Sequence, residues 1–142
     1  MRLVNAGRTL VMAAVLFAGP FVAAPASADS GAPGQPEARF RTTLVARHSD
    51  KCLDVSGVST QTGANVHQWT CIFGQPNQEW NLVATSDGYY TLRATHSGKC
   101  LDVSGVSTQD GANIHQWTCL PNQPNQEWRL VQRDSGYFAV VA

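Results

Sequence analysis

The chain is 142 residues long, with 10 Lys and Arg against 10 Asp and Glu and with 43% apolar residues. Setting aside Arg2 and Arg8, which sit in an N-terminal leader, 8 basic residues face 10 acidic ones, a net charge of −2. No basic stripe is present to attract nucleic acid or an anionic membrane, so charge excludes both as partners.

The N-terminus reads as a secretory leader. Arg2 and Arg8 form a short positive region, Leu10–Ala24 an apolar run, and Ala26-Ser27-Ala28 a small-residue cleavage pattern. The run contains Gly19-Pro20 and is too short for a comfortable membrane span. Residues 1–28 are therefore expected to be a signal peptide, with a mature chain that begins near Asp29 and is secreted. Residues 29–39 are rich in Pro, Gly and Ala and predict a flexible linker. Residues 40–142 remain, about one hundred residues, enough for one small domain.

Four cysteines lie in this part: Cys52, Cys71, Cys100 and Cys119. In an exported chain an even count implies disulfides, and four cysteines allow three pairings. Cys52 to Cys71 and Cys100 to Cys119 have the same separation and hold equivalent places in a repeat, which makes them the expected pairs. A zinc site through Cys52, His67 and Cys71 fits no common finger spacing, so neither metal nor cofactor is expected.

The repeat dominates the rest of the chain. Residues 51–83 and 99–131 are identical at 27 of 33 positions, and QPNQEW occurs at Gln75–Trp80 and again at Gln123–Trp128. Self-similarity at a fixed period indicates two copies of one supersecondary unit. In the second copy the predicted strands are Tyr89–Ala94, Lys99–Val103, Asn113–Cys119 and Gln126–Val131. Gly, Ser, Asn and Pro punctuate them, and no helical periodicity intervenes. The fold class is all-β.

Alternation sorts the faces. Leu53 and Val55 point one way, Cys52 and Asp54 the other. His67, Trp69 and Cys71 share a face, which turns Gln68, like Gln116 in the second copy, inward to a place where a buried amide needs partners. A Cys52–Cys71 bridge then braces the face that carries Asp54, His67 and Trp69.

Three elements occur in both copies: Cys52-Leu53-Asp54-Val55, His67-Gln68-Trp69-Thr70-Cys71 and Gln78-Glu79-Trp80, with Cys100–Val103, His115–Cys119 and Gln126–Trp128 as equivalents. With them the chain resembles the ricin-type B lectin family of carbohydrate-binding β-trefoils, whose signature is Gln-x-Trp. The resemblance implies a β-trefoil-like domain made of two complete four-stranded repeats and the first strand of a third. It also implies two equivalent sugar sites.

Each site is then expected to use a carboxylate (Asp54, Asp102), an Asn-Gln pair (Asn77 and Gln78, Asn125 and Gln126) and a stacking tryptophan (Trp69, Trp117). An ionised carboxylate accepts charge-assisted hydrogen bonds and suits a pair of sugar hydroxyls. A tryptophan face covers the apolar C–H side of a sugar ring. The competing readings are an aspartate that caps a turn and a tryptophan that covers the disulfide. His67 and His115 stand where the family often has another polar residue; as ligand contacts they would make binding change near pH 6–7. Trp80 and Trp128 are expected in the core.

Glycosidase chemistry needs two carboxyl groups about 5 to 9.5 Å apart. Each copy has only Asp54 with Glu79, or Asp102 with Glu127, and alternation separates them, so the expected protein is not an enzyme. A protein-interaction or protease-inhibitor trefoil is the alternative, as is a non-functional truncated lectin fragment. After Val131 a third unit begins at Gly136-Tyr137-Phe138-Ala139-Val140, without a third Cys pair or Gln-x-Trp. A homo-oligomer is one way to complete the trefoil, because unpaired strand edges invite another chain.

Overall fold

A computed structural model describes residues 1–5, 39–85, 88–134 and 136–142. The apolar run, the cleavage pattern and nearly all of the linker lie outside the described residues. Among the described residues ten strands form one antiparallel sheet system: β1 (Arg2–Asn5), β2 (Arg39–Val45), β3 (Cys52–Val55), β4 (Val66–Trp69), β5 (Trp80–Ala84), β6 (Tyr89–Ala94), β7 (Cys100–Val103), β8 (Ile114–Trp117), β9 (Trp128–Gln132) and β10 (Phe138–Val141). Their ladder runs β10-β9-β6-β5-β2-β3-β4, with β7 paired to β6 and β8.

Both repeats have the same plan. A long strand (β2 or β6) pairs with the strand that opens on the Gln-x-Trp tryptophan (β5 or β9), while a short CLDV strand pairs with the HQW strand. The Thr, Val, Leu and Tyr content of β2, β5 and β6 suits half-buried pleated surfaces. Leu44, Trp80, Leu82, Leu92, Ala94 and Trp128 meet in one buried cluster. Each indole N–H finds the partner that burial demands: Trp80 Nε1 donates to the Leu53 carbonyl at 3.1 Å and Trp128 Nε1 to the Leu101 carbonyl at 3.0 Å. Both tryptophans are core residues, as expected.

The expected last strand is shorter at its start. Pro76–Gln78 and Pro124–Gln126 form 3-10 turns, and the strands begin at Trp80 and Trp128. Proline opens such a turn readily because it has no N–H to leave unpaired there. The turn replaces strand alternation and directs Asn77 and Gln78 together into the protein. Glu79 is buried as well, with its carboxylate paired to Arg41.

Gln116 and Gln68 diverge although their sequence contexts match. Gln116 is fully buried between the repeats, where its Nε2 donates to the carbonyls of Ser59 and Gln61, both at 2.8 Å. Ser97 Oγ donates to its Oε1 at 2.7 Å. Those are the partners that a buried amide requires. Gln68, expected to point inward, is exposed, and no equivalent loop covers it among the described residues.

Two further segments complete the sheet. β10 pairs with β9 from Phe138 opposite Gln132 to Val141 opposite Arg129. Arg47 binds Asp134 at 2.8 Å and lies over the Tyr137 ring at 4.5 Å, which ties this hairpin to the loop after β2. β1 pairs with β2, Arg2 opposite Val45 and Asn5 opposite Thr42, in a segment assigned above to the leader. An extended backbone there satisfies N–H and C=O groups along that side of β2.

Candidate functional site

The CLDV and HQW strands pair so that Asp54 stands directly opposite His67, and Asp102 opposite His115. The bridges Cys52–Cys71 and Cys100–Cys119 close the same ends of the two hairpins, with Cα separations of 5.1 and 5.0 Å. Both expected pairings are present, and all four thiols are consumed in them.

Asp54 is almost wholly buried and surrounded by donors. His67 Nε2 lies 3.2 Å from Oδ1, while Asn77 Nδ2 and Gln78 Nε2 donate to Oδ2 at 2.9 and 2.8 Å. Since a carboxylate only accepts, His67 Nε2 carries the hydrogen of its bond. The second copy repeats the set around Asp102: His115 at 2.9 Å, Asn125 at 2.9 Å and Gln126 at 2.8 Å.

The amides are themselves anchored to backbone. Asn77 Nδ2 also donates to the Val55 carbonyl at 2.9 Å, and Gln78 Nε2 to the Thr70 carbonyl at 3.0 Å. Gln78 Oε1 accepts from the Ile72 N–H at 2.9 Å. A carboxylate held by three donors cannot rotate freely, so one remaining acceptor direction is left fixed in space.

A pocket of about 330 Å³ opens over the first cluster, lined by Asp54, Ser56, Gly57, Val58, His67, Trp69, Ile72, Gln75 and Asn77. A second of about 280 Å³ is lined by Asp102, Ser104, Gly105, Val106, His115, Trp117, Leu120, Gln123 and Asn125. Every residue of the second set stands at the position equivalent to one of the first. The repeat therefore builds the same concavity twice.

Of the ten candidate site residues, Asp54, His67, Trp69, Asn77, Asp102, His115, Trp117 and Asn125 line these pockets. Gln78 and Gln126 do not; they are fully buried and hold the aspartates from behind. Trp69 and Trp117 remain 55% and 40% exposed. His67 stacks on Trp69 with centroids 5.7 Å apart, and His115 on Trp117 at 5.2 Å. Each histidine thus fixes both its carboxylate and its tryptophan, a double role that strand alternation alone did not reveal.

Sequence reasoning missed one wall of each pocket. Ser56-Gly57-Val58 and Ser104-Gly105-Val106 are 3-10 turns in which Val58 (φ 54°) and Val106 (φ 52°) adopt positive φ. A β-branched residue is strained there, and the same strain recurs at both pockets. The available signal was the identical SGV in both copies.

The chain matches the family described as ricin-type beta-trefoil lectin domain-like over residues 37–117 and 77–142. It belongs to that family. Among solved structures it is 52% identical to a designed three-fold symmetric protein, ThreeFoil, with a TM-score of 0.68, covering 72% of this chain and 71% of that one. It is 36% identical to an exo-β-1,3-galactanase from Clostridium thermocellum, with a TM-score of 0.62, over 66% of this chain and only 20% of the enzyme. A lectin of Polyporus squamosus, solved with the epitope Neu5Acα2-6Galβ1-4GlcNAc, shares the fold at 18% identity and a TM-score of 0.57, covering 76% of this chain and 44% of the lectin. No curated protein matches the chain.

Proposed function

We propose that the protein is a secreted, non-enzymatic sugar-binding module with two equivalent sites, and that its ligand is a galactose-containing polysaccharide. The observation that carries this reading is the duplicated pocket: a fixed carboxylate beside an exposed tryptophan, with nine equivalent lining residues in each copy. Asp54 and Asp102 accept a hydrogen bond from a sugar hydroxyl, His67 and His115 supply a further polar contact, and Trp69 and Trp117 stack on the ring's apolar face. Asn77 and Asn125 line the pockets with their side-chain oxygens buried and unpaired among the described residues, so each acts by holding its aspartate in place. Gln78 and Gln126 act through the aspartates rather than by touching sugar.

Preference for galactose over xylan rests on the kinship to a module-sized fifth of a galactanase. The catalytic activity of that enzyme is not carried over: Glu79 is tied to Arg41 and lines neither pocket. Two bridges in the folded unit agree with an extracellular, oxidising setting. Each shallow site is weak alone, and two on one chain gain by effective concentration on a repeating polymer.

A glycan array carrying galactans, xylans and mannans tests the reading. The wild type is expected to mark galactose-bearing glycans, and the Asp54→Asn/Asp102→Asn double variant none. Binding retained by the double variant would remove these sites, and a silent array with wild type would favour a protein partner.

A further inference from the structure

A third cleft, of about 560 Å³, borders the second sugar pocket, and Leu120 lines both. Its volume falls within the roughly 300–1,000 Å³ of small-molecule sites. The end of β5 contributes to it, together with Thr91 and Arg93 of β6, the segment Leu120-Pro121-Asn122, and Glu127.

The repeat does not build this cleft twice. Val45 stands at the position equivalent to Arg93, and Ile72-Phe73-Gly74 at that of Leu120-Pro121-Asn122, a triplet that holds three of the six differences between residues 51–83 and 99–131. Asn122 has the positive φ of Gly74, 54° against 74°, a conformation that asparagine tolerates better than most side chains, and it brings an amide to the cleft. The acids also part company. Glu79 is paired with Arg41, but the position equivalent to Arg41 is Tyr89, so Glu127 has no such partner.

Arg93 is half-buried, and its guanidinium makes no hydrogen bond or ion pair among the described residues; its Nε is buried without a partner. A partly desolvated cation without a counter-ion is costly, and an anionic ligand would offset that cost. The flat fork of a guanidinium matches a carboxylate better than any other anionic group of a sugar. The Glu127 carboxylate is likewise unpaired among the described residues, and it only accepts, so it suits a hydroxyl and opposes a ligand that carries nothing but negative charge. One cation and one acid in the same cleft call for a ligand with one carboxylate and several hydroxyls.

We infer that this cleft binds a hexuronic acid unit of an acidic polysaccharide, beside a galactose unit held at Asp102 and Trp117. The inference rests on the sugar-binding reading of the second pocket. Arg93 takes the carboxylate through its terminal nitrogens, while Glu127 and Asn122 meet ring hydroxyls. Leu120, as the wall common to pocket and cleft, lets one glycan chain pass from one to the other. The two pockets remain equal for a neutral galactose unit, and only an acid-bearing chain tells them apart.

Isothermal titration of the Asp54→Asn protein, in which the second pocket is the intact one, tests this with two probes. One is galactobiose capped by glucuronic acid; the other is its methyl ester, which removes the charge and keeps the skeleton. The acid is expected to bind at least about tenfold tighter than the ester. Adding Arg93→Gln is expected to abolish that difference in a protein folded by circular dichroism, while Arg93→Lys keeps part of it, because the charge stays and the fork is lost. An acid that binds no tighter than the ester would overturn the inference, as would an Arg93→Gln protein that keeps the preference; in either case the galactose reading stands if the ester binds. An ester that fails to bind beside an acid that binds through Arg93 would remove the galactose reading and leave the cleft. Silence of both probes would remove both.

Discussion

Asp54 and Asp102 each give three of roughly four acceptor positions to protein donors, which leaves about one for a ligand. The carboxylate is therefore a pre-aimed single acceptor, not the open pair of oxygens that a free aspartate would offer to two hydroxyls. This predicts different outcomes for two substitutions. Asp54→Asn keeps an oxygen facing Asn77 and Gln78 and is expected to fold normally while binding at that site weakens at least about tenfold. Asp54→Ala strands two buried amide donors and is expected to lose roughly 2–4 kcal/mol of stability, read from urea midpoints. The tryptophans divide in the same way. Trp69→Ala, at an exposed position, should shift stability by less than about 1 kcal/mol yet weaken sugar binding. Trp80→Ala, at the centre of the core, should cost about 3–5 kcal/mol and tell nothing about sugar.

The short turns decide what each strand hairpin can present. In Ser56-Gly57-Val58 the valine is held at positive φ beside the pocket, a strain of about 1 kcal/mol or more. Val58→Gly is expected to raise the thermal midpoint slightly while lowering affinity at the first site, because the strain and the pocket wall leave together. A fall in both would mean that the valine contributes more by packing than it costs in strain. The turn at Pro76–Gln78 explains why part of the site was hidden from the sequence. Period-two alternation along a strand that starts at the glutamine, as expected for Gln126–Val131, puts the glutamine and tryptophan on one face, whereas the proline opens a 3-10 turn that buries Asn77 and Gln78 around Asp54. The facing of Asp54 and His67, by contrast, was legible, since a regular antiparallel pair obeys that alternation. Gln68 and Gln116 were not separable in advance: the same residue in strands that differ only at Val66 and Ile114 is buried where a neighbouring lobe supplies its Ser59–Gln61 loop. Local pattern reads a face; it does not read what comes to lie against it.

At the scale of the whole molecule, duplication gives the chain two pockets, two bridges and two lobes around one core. Each bridge spans a sequence separation of 19 between the start of a CLDV strand and the end of its partner hairpin. Replacing Cys100 and Cys119 by Ser is expected to cost about 3 kcal/mol and to loosen the second site before the first, a difference that site-resolved binding in partial denaturant would reveal. The central claim is that two equal, independent sites centre on Asp54 and Asp102. Isothermal titration of a short galactose-containing oligosaccharide tests it most directly through the stoichiometry. Wild type is predicted to bind two ligands per chain, Asp54→Asn one, Asp102→Asn one, and the folded double variant none. Two ligands bound by a folded double variant would contradict the account.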